Sequence, residues 1–278
     1  MHLPPLPDTH RARAGLPCGT MARLTVFTAL DGTLLDAHTL DAGAARATIA
    51  RLRNLGIPVV PVTAMTLGEL APIAADLGFD HAIIEGGAAI ARRNRGGWDV
   101  EACGLPAETL LDVVREVEDR TGANLFVHSA GEIPFTIESG DLDAVRDAAA
   151  DAGFSVRRGR RFLHLCRECD EGQAFTRLRE ELSCDVAIAV GSTLADAGFL
   201  SRANIAIIVP GANGEADSDL LAKVPHAHIA PAPAPRGWAA AVERVVRDRP
   251  EASGGRAAGG LPGSVSQRSS IRGIARSA

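Results

Sequence analysis

The chain has 278 residues, 46% hydrophobic and 23% charged, enough for two domains or for one domain carrying a large insertion. Its 29 Lys and Arg against 34 Asp and Glu leave a formal net charge of −5, aromatic residues make up 4%, and tyrosine is missing, which argues against a nucleic-acid binder with a basic face and stacking rings. No apolar run approaches the ~18 residues of a membrane span, so no membrane partner is expected either.

In chain order, residues 1–20 are rich in Pro and Arg without periodicity, lack the apolar stretch of a secretory signal, and are expected to be disordered. Met21 competes with Met1 as the translation start. Residues 24–30 (LTVFTAL) form an apolar run feeding an Asp31-Gly32-Thr33 turn, the pattern of a buried strand. Residues 42–55 place Ala45, Ile49, Leu52 and Leu55 at helical spacing, with Gly56 as the stop. Residues 57–62 predict a second strand, 66–77 a helix ended by Gly78, and 81–84 a third strand. This alternation implies right-handed βαβ units and a parallel sheet with helices on both faces.

From residue 92 the pattern changes. Residues 106–121 predict a helix with Pro106 in its first turn, 135–137 a strand, 142–152 a helix and 162–165 a strand, together a small α+β module inserted after the third strand. Residues 173–182 predict a helix, 186–190 and 205–209 two strands, and 238–246 a closing helix. The Gly-, Ser- and Arg-rich residues 250–278 are expected to be disordered. The predicted division is a core of residues 21–91 and 183–249 and an inserted module of residues 92–182. Five scattered cysteines (Cys18, Cys103, Cys166, Cys169, Cys184) predict reduced thiols and a cytoplasmic protein.

In a doubly wound sheet, reactive groups sit on the loops that follow the carboxyl ends of the strands. Three loops stand out: Thr28 to Asp36, Val62 to Thr66, and Gly191 to Asp196. Each follows an apolar strand, and their order is more specific than the Asp-Gly-Thr turn alone, which is common turn chemistry. Among other features, Cys166-Arg-Glu-Cys169 has redox or half-zinc spacing but no second ligand pair, and reads as a strand-end loop. His226 and His228 lie near a closing loop, and Arg157, Arg158, Arg160 and Arg161 form a basic cluster that suits either a solvated charge run or anion binding.

Together the three loops resemble those of the haloacid dehalogenase (HAD) phosphatases, which carry DxDGT after the first strand, Ser or Thr after the second, a later Lys, and GDxxND after a late strand. The segments LDGTLLDAHT, LRNLGIPVVPVTAMT, LGFDHAIIEGGAAI, RRGRRFLHL, CDEGQAF, AVGSTLADAGFL and PAPRGWAAAVERV further resemble, in order, the mannosyl-3-phosphoglycerate phosphatase family. The resemblance implies an α/β fold: a Rossmann-like HAD core, its parallel sheet flanked by helices on both faces, with an inserted α+β cap domain.

It also implies a role for each position. The attacking Asp of such a phosphatase falls at Ala29, whose methyl group can neither attack phosphorus nor bind metal. The acid/base Asp is kept as Asp31, and Thr63 occupies the position that hydrogen-bonds the phosphoryl group. The lysine position is Glu171, within Asp170-Glu171-Gly172-Gln173. Of the late metal-binding motif, the first Asp is Ser192, the Asn is Ala195, and only Asp196 survives. The metal set is thereby reduced to Asp196 and Asp31, while Gly32, Thr33, Glu85, Arg160, Arg161 and His164 are the positions implied for substrate contacts.

Phosphoryl transfer works by positioning and by neutralising charge, mostly with Mg²⁺ and a cation. Without carboxylates at Ala29 and Ser192, Mg²⁺, the cofactor implied by the resemblance, is expected to bind weakly or not at all. Losing the covalent nucleophile costs on the order of 10⁴–10⁶ in turnover. Asp31 lies two residues further along, and a 1 Å misplacement of an attacking group costs about 10²-fold. The expectation is a catalytically impaired phosphatase relative that binds a phosphosugar or glycerate ligand or a partner protein. Two alternatives stand beside it: an active Mg²⁺-dependent sugar-phosphoglycerate phosphatase of mannosylglycerate or glucosylglycerate biosynthesis, and a partner subunit for another enzyme of compatible-solute synthesis.

Overall fold

In the computed structural model, residues 22–103, 107–127, 134–158, 163–167 and 170–248 are described. The termini expected to be disordered, 1–20 and 250–278, lie outside them. Strands β1 (Leu24–Ala29), β2 (Val59–Val62) and β3 (His81–Ile84) pair in parallel, with α1 (Ala45–Asn54) and α2 (Leu67–Leu77) as crossovers. Thr66 caps α2 in a reciprocal box with Glu69, and Gly78 ends it at φ 70°, a left-handed conformation suited to glycine. On the other side of β1, β10 (Val186–Gly191), β11 (Ile205–Ile208) and β12 (His228–Ile229) continue the parallel pairing.

Side chains alternate across this sheet, and both faces are dry. Val26, Ile188 and Ile207 point into one cluster with Ile49 of α1, Leu70 of α2 and Trp238 of α8 (Arg236–Arg247). Phe27, Ala189 and Ile208 point into the other, with Phe175 of α5 (Asp170–Glu181), Phe199 of α6 (Ala197–Leu200) and Leu220 of α7 (Ser218–Lys223). Burial on both faces is what makes these strands read as continuous apolar runs.

The sheet is mixed rather than wholly parallel. After β3 the chain makes an antiparallel hairpin, β4 (Ala89–Asn94) and β5 (Gly97–Ala102), which extends the sheet to eight strands in the order β12-β11-β10-β1-β2-β3-β4-β5. The inserted module follows β5. It packs α3 (Ala107–Thr121) and α4 (Leu142–Asp151) against an antiparallel sheet of order β6-β7-β9-β8, formed by β6 (Asn124–Val127), β7 (Pro134–Ser139), β8 (Phe154–Arg158) and β9 (Leu163–Arg167).

The boundaries predicted at 92 and 182 therefore do not coincide with the sheets. Residues 92–102 belong to the large sheet, and α5 supplies Ala174, Phe175 and Leu178 to the core cluster. The hairpin escapes a sequence reading because it lies at the sheet edge, where Arg93, Asn94 and Asp99 are exposed and break the apolar pattern. Among the described residues, no helix is long and apolar enough to cross a membrane.

Candidate functional site

Because β10, β1, β2 and β3 are parallel neighbours, their carboxyl ends and the loops that follow share one edge of the sheet. Ala29, the last residue of β1, lies level with Val62 of β2 and one step past the Thr28–Val190 pair with β10. It is 7% exposed, and its methyl joins the cluster of Phe27, Val62 and Phe199. The preceding Thr28 is fully buried. Its hydroxyl accepts a hydrogen bond from Trp238 Nε1 at 2.9 Å and donates to the Ala29 carbonyl at 2.8 Å, so α8 fixes the end of β1 from behind.

Beyond Ala29 the chain turns at once. The Leu30 carbonyl accepts from the amides of Thr33, Leu34 and Leu35 at 3.1, 3.1 and 2.9 Å, and Gly32 supplies the φ of +67° that the turn needs. Asp31 lies in this turn, exposed and bridged to Leu35, not in the place of Ala29. Thr33 is buried, and its hydroxyl donates to Ser192 Oγ at 2.8 Å. The first and the late loop are thus in direct contact.

The loop after β10 folds back on its own acid. Asp196 Oδ2 accepts from the Ser192 amide at 2.7 Å, the Thr193 amide at 2.9 Å and the Thr193 hydroxyl at 3.4 Å. This closeness depends on Gly191, where a Cβ would come within 2.6 Å of the Asp196 Cβ. The next amide, Leu194, donates to Asp217 Oδ2 at 3.1 Å, while Asp217 Oδ1 caps α7 by accepting from Asp219 and Leu220 at 2.9 Å each. Asp217 is a site-shaping residue that sequence reasoning missed. Its N-cap role was visible in the Asp-Ser-Asp-Leu pattern, but its reach to Leu194 was not.

On the other side of β1, Thr63 is buried and its Oγ1 accepts from the Met65 amide at 3.1 Å. The Glu85 amide donates to the Met65 carbonyl and the Gly86 amide to the Thr63 carbonyl, lacing the loops after β2 and β3 together. Glu85 is 1% exposed and holds a φ of +54°, uncommon for a residue with a Cβ and costing about 1–3 kcal/mol. Glu171 is buried in the first turn of α5, where its Cβ backs onto Gly198 of α6.

The structure therefore brings Ala29, Asp31, Gly32, Thr33, Thr63, Glu85, Ser192 and Asp196 to one edge of the sheet, with Glu171 on the helix that leads back from the inserted module. Arg160 and Arg161 lie outside the described residues, as does Cys169. His164 is placed by its backbone alone, in β9 opposite Pro134 and Arg157.

The hairpin and α5, between which the inserted module leaves and rejoins the core, are bound to each other by charge. Arg92 donates from Nε and Nη2 to both oxygens of Glu181, at 2.7 and 2.6 Å, and lies 3.0 Å from Glu101. Glu101 is paired in turn with Arg177. The Arg92 bond holds the Glu181 carboxyl below its usual range.

This sequence and topology match known proteins. The haloacid dehalogenase-like hydrolase family profile matches residues 26–155. A haloacid dehalogenase-like hydrolase from Bacteroides thetaiotaomicron superposes with a TM-score of 0.62 at 17% identity, covering 81% of this chain and all of that one (100%). The fold is that of the haloacid dehalogenase superfamily. In sequence, the chain is similar to the glucosyl-3-phosphoglycerate/mannosyl-3-phosphoglycerate phosphatases of Persephonella marina and Methanococcoides burtonii. Identity is 25% with the first, over 81% of this chain and 98% of the relative. With the second it is 26%, over 77% and 93%.

HAD phosphatases generally use Mg²⁺, and the residues at this edge of the sheet do not fit that ion. The end of β1 carries a methyl, Ser192 offers a hydroxyl already engaged by Thr33, and Asp196 Oδ2 is turned to its own loop. Among the described residues there is no cluster of three or more His, Cys, Asp or Glu side chains placed to hold a metal ion. Mg²⁺ demands near-octahedral oxygen donors with carboxylate charge, and this donor set is mostly neutral or committed.

Proposed function

We propose that this chain is a phosphatase-fold protein without phosphatase turnover, which keeps a cleft for an anionic phosphosugar or sugar-phosphoglycerate and acts by holding that ligand. The observation that carries the proposal is Ala29 at the carboxyl end of β1, buried among Phe27, Val62 and Phe199, with no carboxylate in its place. Asp31, exposed in the following turn, is displaced from the position an attacking group would need. The turn, Thr63 and the fixed end of β1 are retained, as expected of a scaffold that still shapes a cleft. The ligand class comes from the named activity of the two relatives. The dispersed cysteines, of which Cys103 and Cys184 are described as free thiols, suit the reducing cytoplasm in which we place the protein.

The test is phosphate release from mannosyl- and glucosyl-3-phosphoglycerate in the presence of Mg²⁺, for the native chain and for a variant carrying Ala29→Asp, Ser192→Asp and Glu171→Lys. The expected outcome is no turnover by the native chain, saturable binding of the same compounds by calorimetry, and turnover restored in the variant. Turnover by the native chain that is abolished by Asp31→Asn and by EDTA would establish the alternative, an active Mg²⁺-dependent phosphatase. No binding by either chain, with an enzyme of sugar-phosphoglycerate synthesis co-purifying, would favour a partner subunit.

A further inference from the structure

We propose that in this chain the loops after β1 and β10 are joined by a hydroxyl–hydroxyl hydrogen bond instead of a shared divalent cation, so that the site assembles and stays closed without metal. The inference deepens the functional reading and rests on the same assignment of Ala29 and Ser192.

Three features carry it. Thr33 and Ser192 are 159 residues apart in the chain, and their 2.8 Å bond is a direct link between the two loops, made by neutral groups and protected by the burial of Thr33. A cation in the same role would need charged donors on both loops to offset the cost of dehydrating it. One oxygen of the Asp196 carboxylate is committed to the loop as well. Its Oδ2 accepts from two successive amides at 2.7 and 2.9 Å, and the tight approach at Gly191 holds it there. With the Thr193 hydroxyl at 3.4 Å, three donors of the loop share that oxygen. The third amide, Leu194, is taken by Asp217. The successive N–H groups of Ser192, Thr193 and Leu194 all point at carboxylates of the protein itself, so the loop needs no ion to settle its charge.

The experiment titrates the full-length protein with Mg²⁺ by calorimetry and compares thermal unfolding in Mg²⁺ and in EDTA. The native chain is expected to show no saturable Mg²⁺ binding in the millimolar range and the same melting temperature in both. Thr33→Val and Ser192→Ala should each lower the melting temperature by about 2–4 °C, and the double variant should lose no more than either single. Thr33→Ser, which keeps the hydroxyl, should melt like the native chain. Ala29→Asp with Ser192→Asp should gain a Mg²⁺-dependent rise in melting temperature. Saturable Mg²⁺ binding by the native chain, or additive losses in the two single variants, would overturn the inference. Phosphate release measured on the same samples separates it from the functional reading. A native chain that binds Mg²⁺ but releases no phosphate sinks only the metal-free link; one that releases phosphate without any Mg²⁺ response sinks only the loss of turnover.

Discussion

The two sheets of this protein bury their side chains in different ways. Strands β1, β10 and β11 lie inside the large sheet with helices over both faces, so neighbouring residues such as Val26 and Phe27 enter opposite clusters and both are fully buried. The smaller sheet is packed on one side by α3 and α4, and its cluster of Val114, Val117, Val145, Ala149, Phe154 and Leu165 leaves Phe126 of the edge strand β6 51% exposed. A sheet covered on both faces holds its loops against a rigid edge. A sheet covered on one face has the smaller cluster to hold it and is expected to loosen first.

The strongest test of that contrast is a pair of truncations. Phe27 packs its ring edge against Phe175 at a centroid distance of 4.5 Å, and Phe27→Ala should cost about 3–5 kcal/mol and lower the main unfolding transition. Phe154→Ala in the small cluster should instead release hydrogen-exchange protection in α4 and β8 first, with β1 and β10 still protected. A single transition that moves equally in both variants would show that the two sheets unfold as one unit.

A smaller effect is expected at the junction between them. Arg92→Met removes both bonds to Glu181 and the contact with Glu101, and should cost about 1–2 kcal/mol, the value of charge-assisted bonds reduced for exposure of the partner carboxylates. High salt should narrow the difference between the variant and the native chain in urea unfolding. Smaller still, Thr66→Ala deletes the cap of α2 and should cost about 1 kcal/mol, read as a shift in the urea midpoint with unchanged slope.

The smallest effect concerns pH. Burial holds the His81 imidazole below its ordinary value, against the opposing pull of Glu181 and Asp80, with Arg92 adding to the depression. His228 is depressed likewise, by burial and then by Arg244 and His226. The unfolded chain therefore takes up these protons first. Stability is full above about pH 6.5 and falls as pH drops from there toward the folded-state values. His81→Asn should flatten that slope, measured as the urea midpoint between pH 5 and 8; an unchanged slope would show that burial of His81 does not govern it.

The same contrast explains what could be read from the sequence. Strands buried on both faces announce themselves as apolar runs, which is why LTVFTA, VAIAVG and IAII are legible. The β4–β5 hairpin is not, because its outer strand has only exposed and half-buried residues and its turn is built of Asn, Arg and Gly. The loop residues of the site were legible one by one through their motifs. Their links were not, since Thr33 meets Ser192 across 159 residues and Trp238 meets Thr28 across 210. Such pairings follow from sheet order, which a linear pattern does not carry.

The indole of Trp238 touches the residue next to Ala29 and is shielded from water. The protein has one other tryptophan, Trp98, half-buried on the outermost strand of the hairpin. Replacing Trp98 with Phe would leave a single emitter whose wavelength and quenching report on the end of β1. Any change at that edge of the sheet, ligand binding included, could then be followed optically and independently of phosphate release.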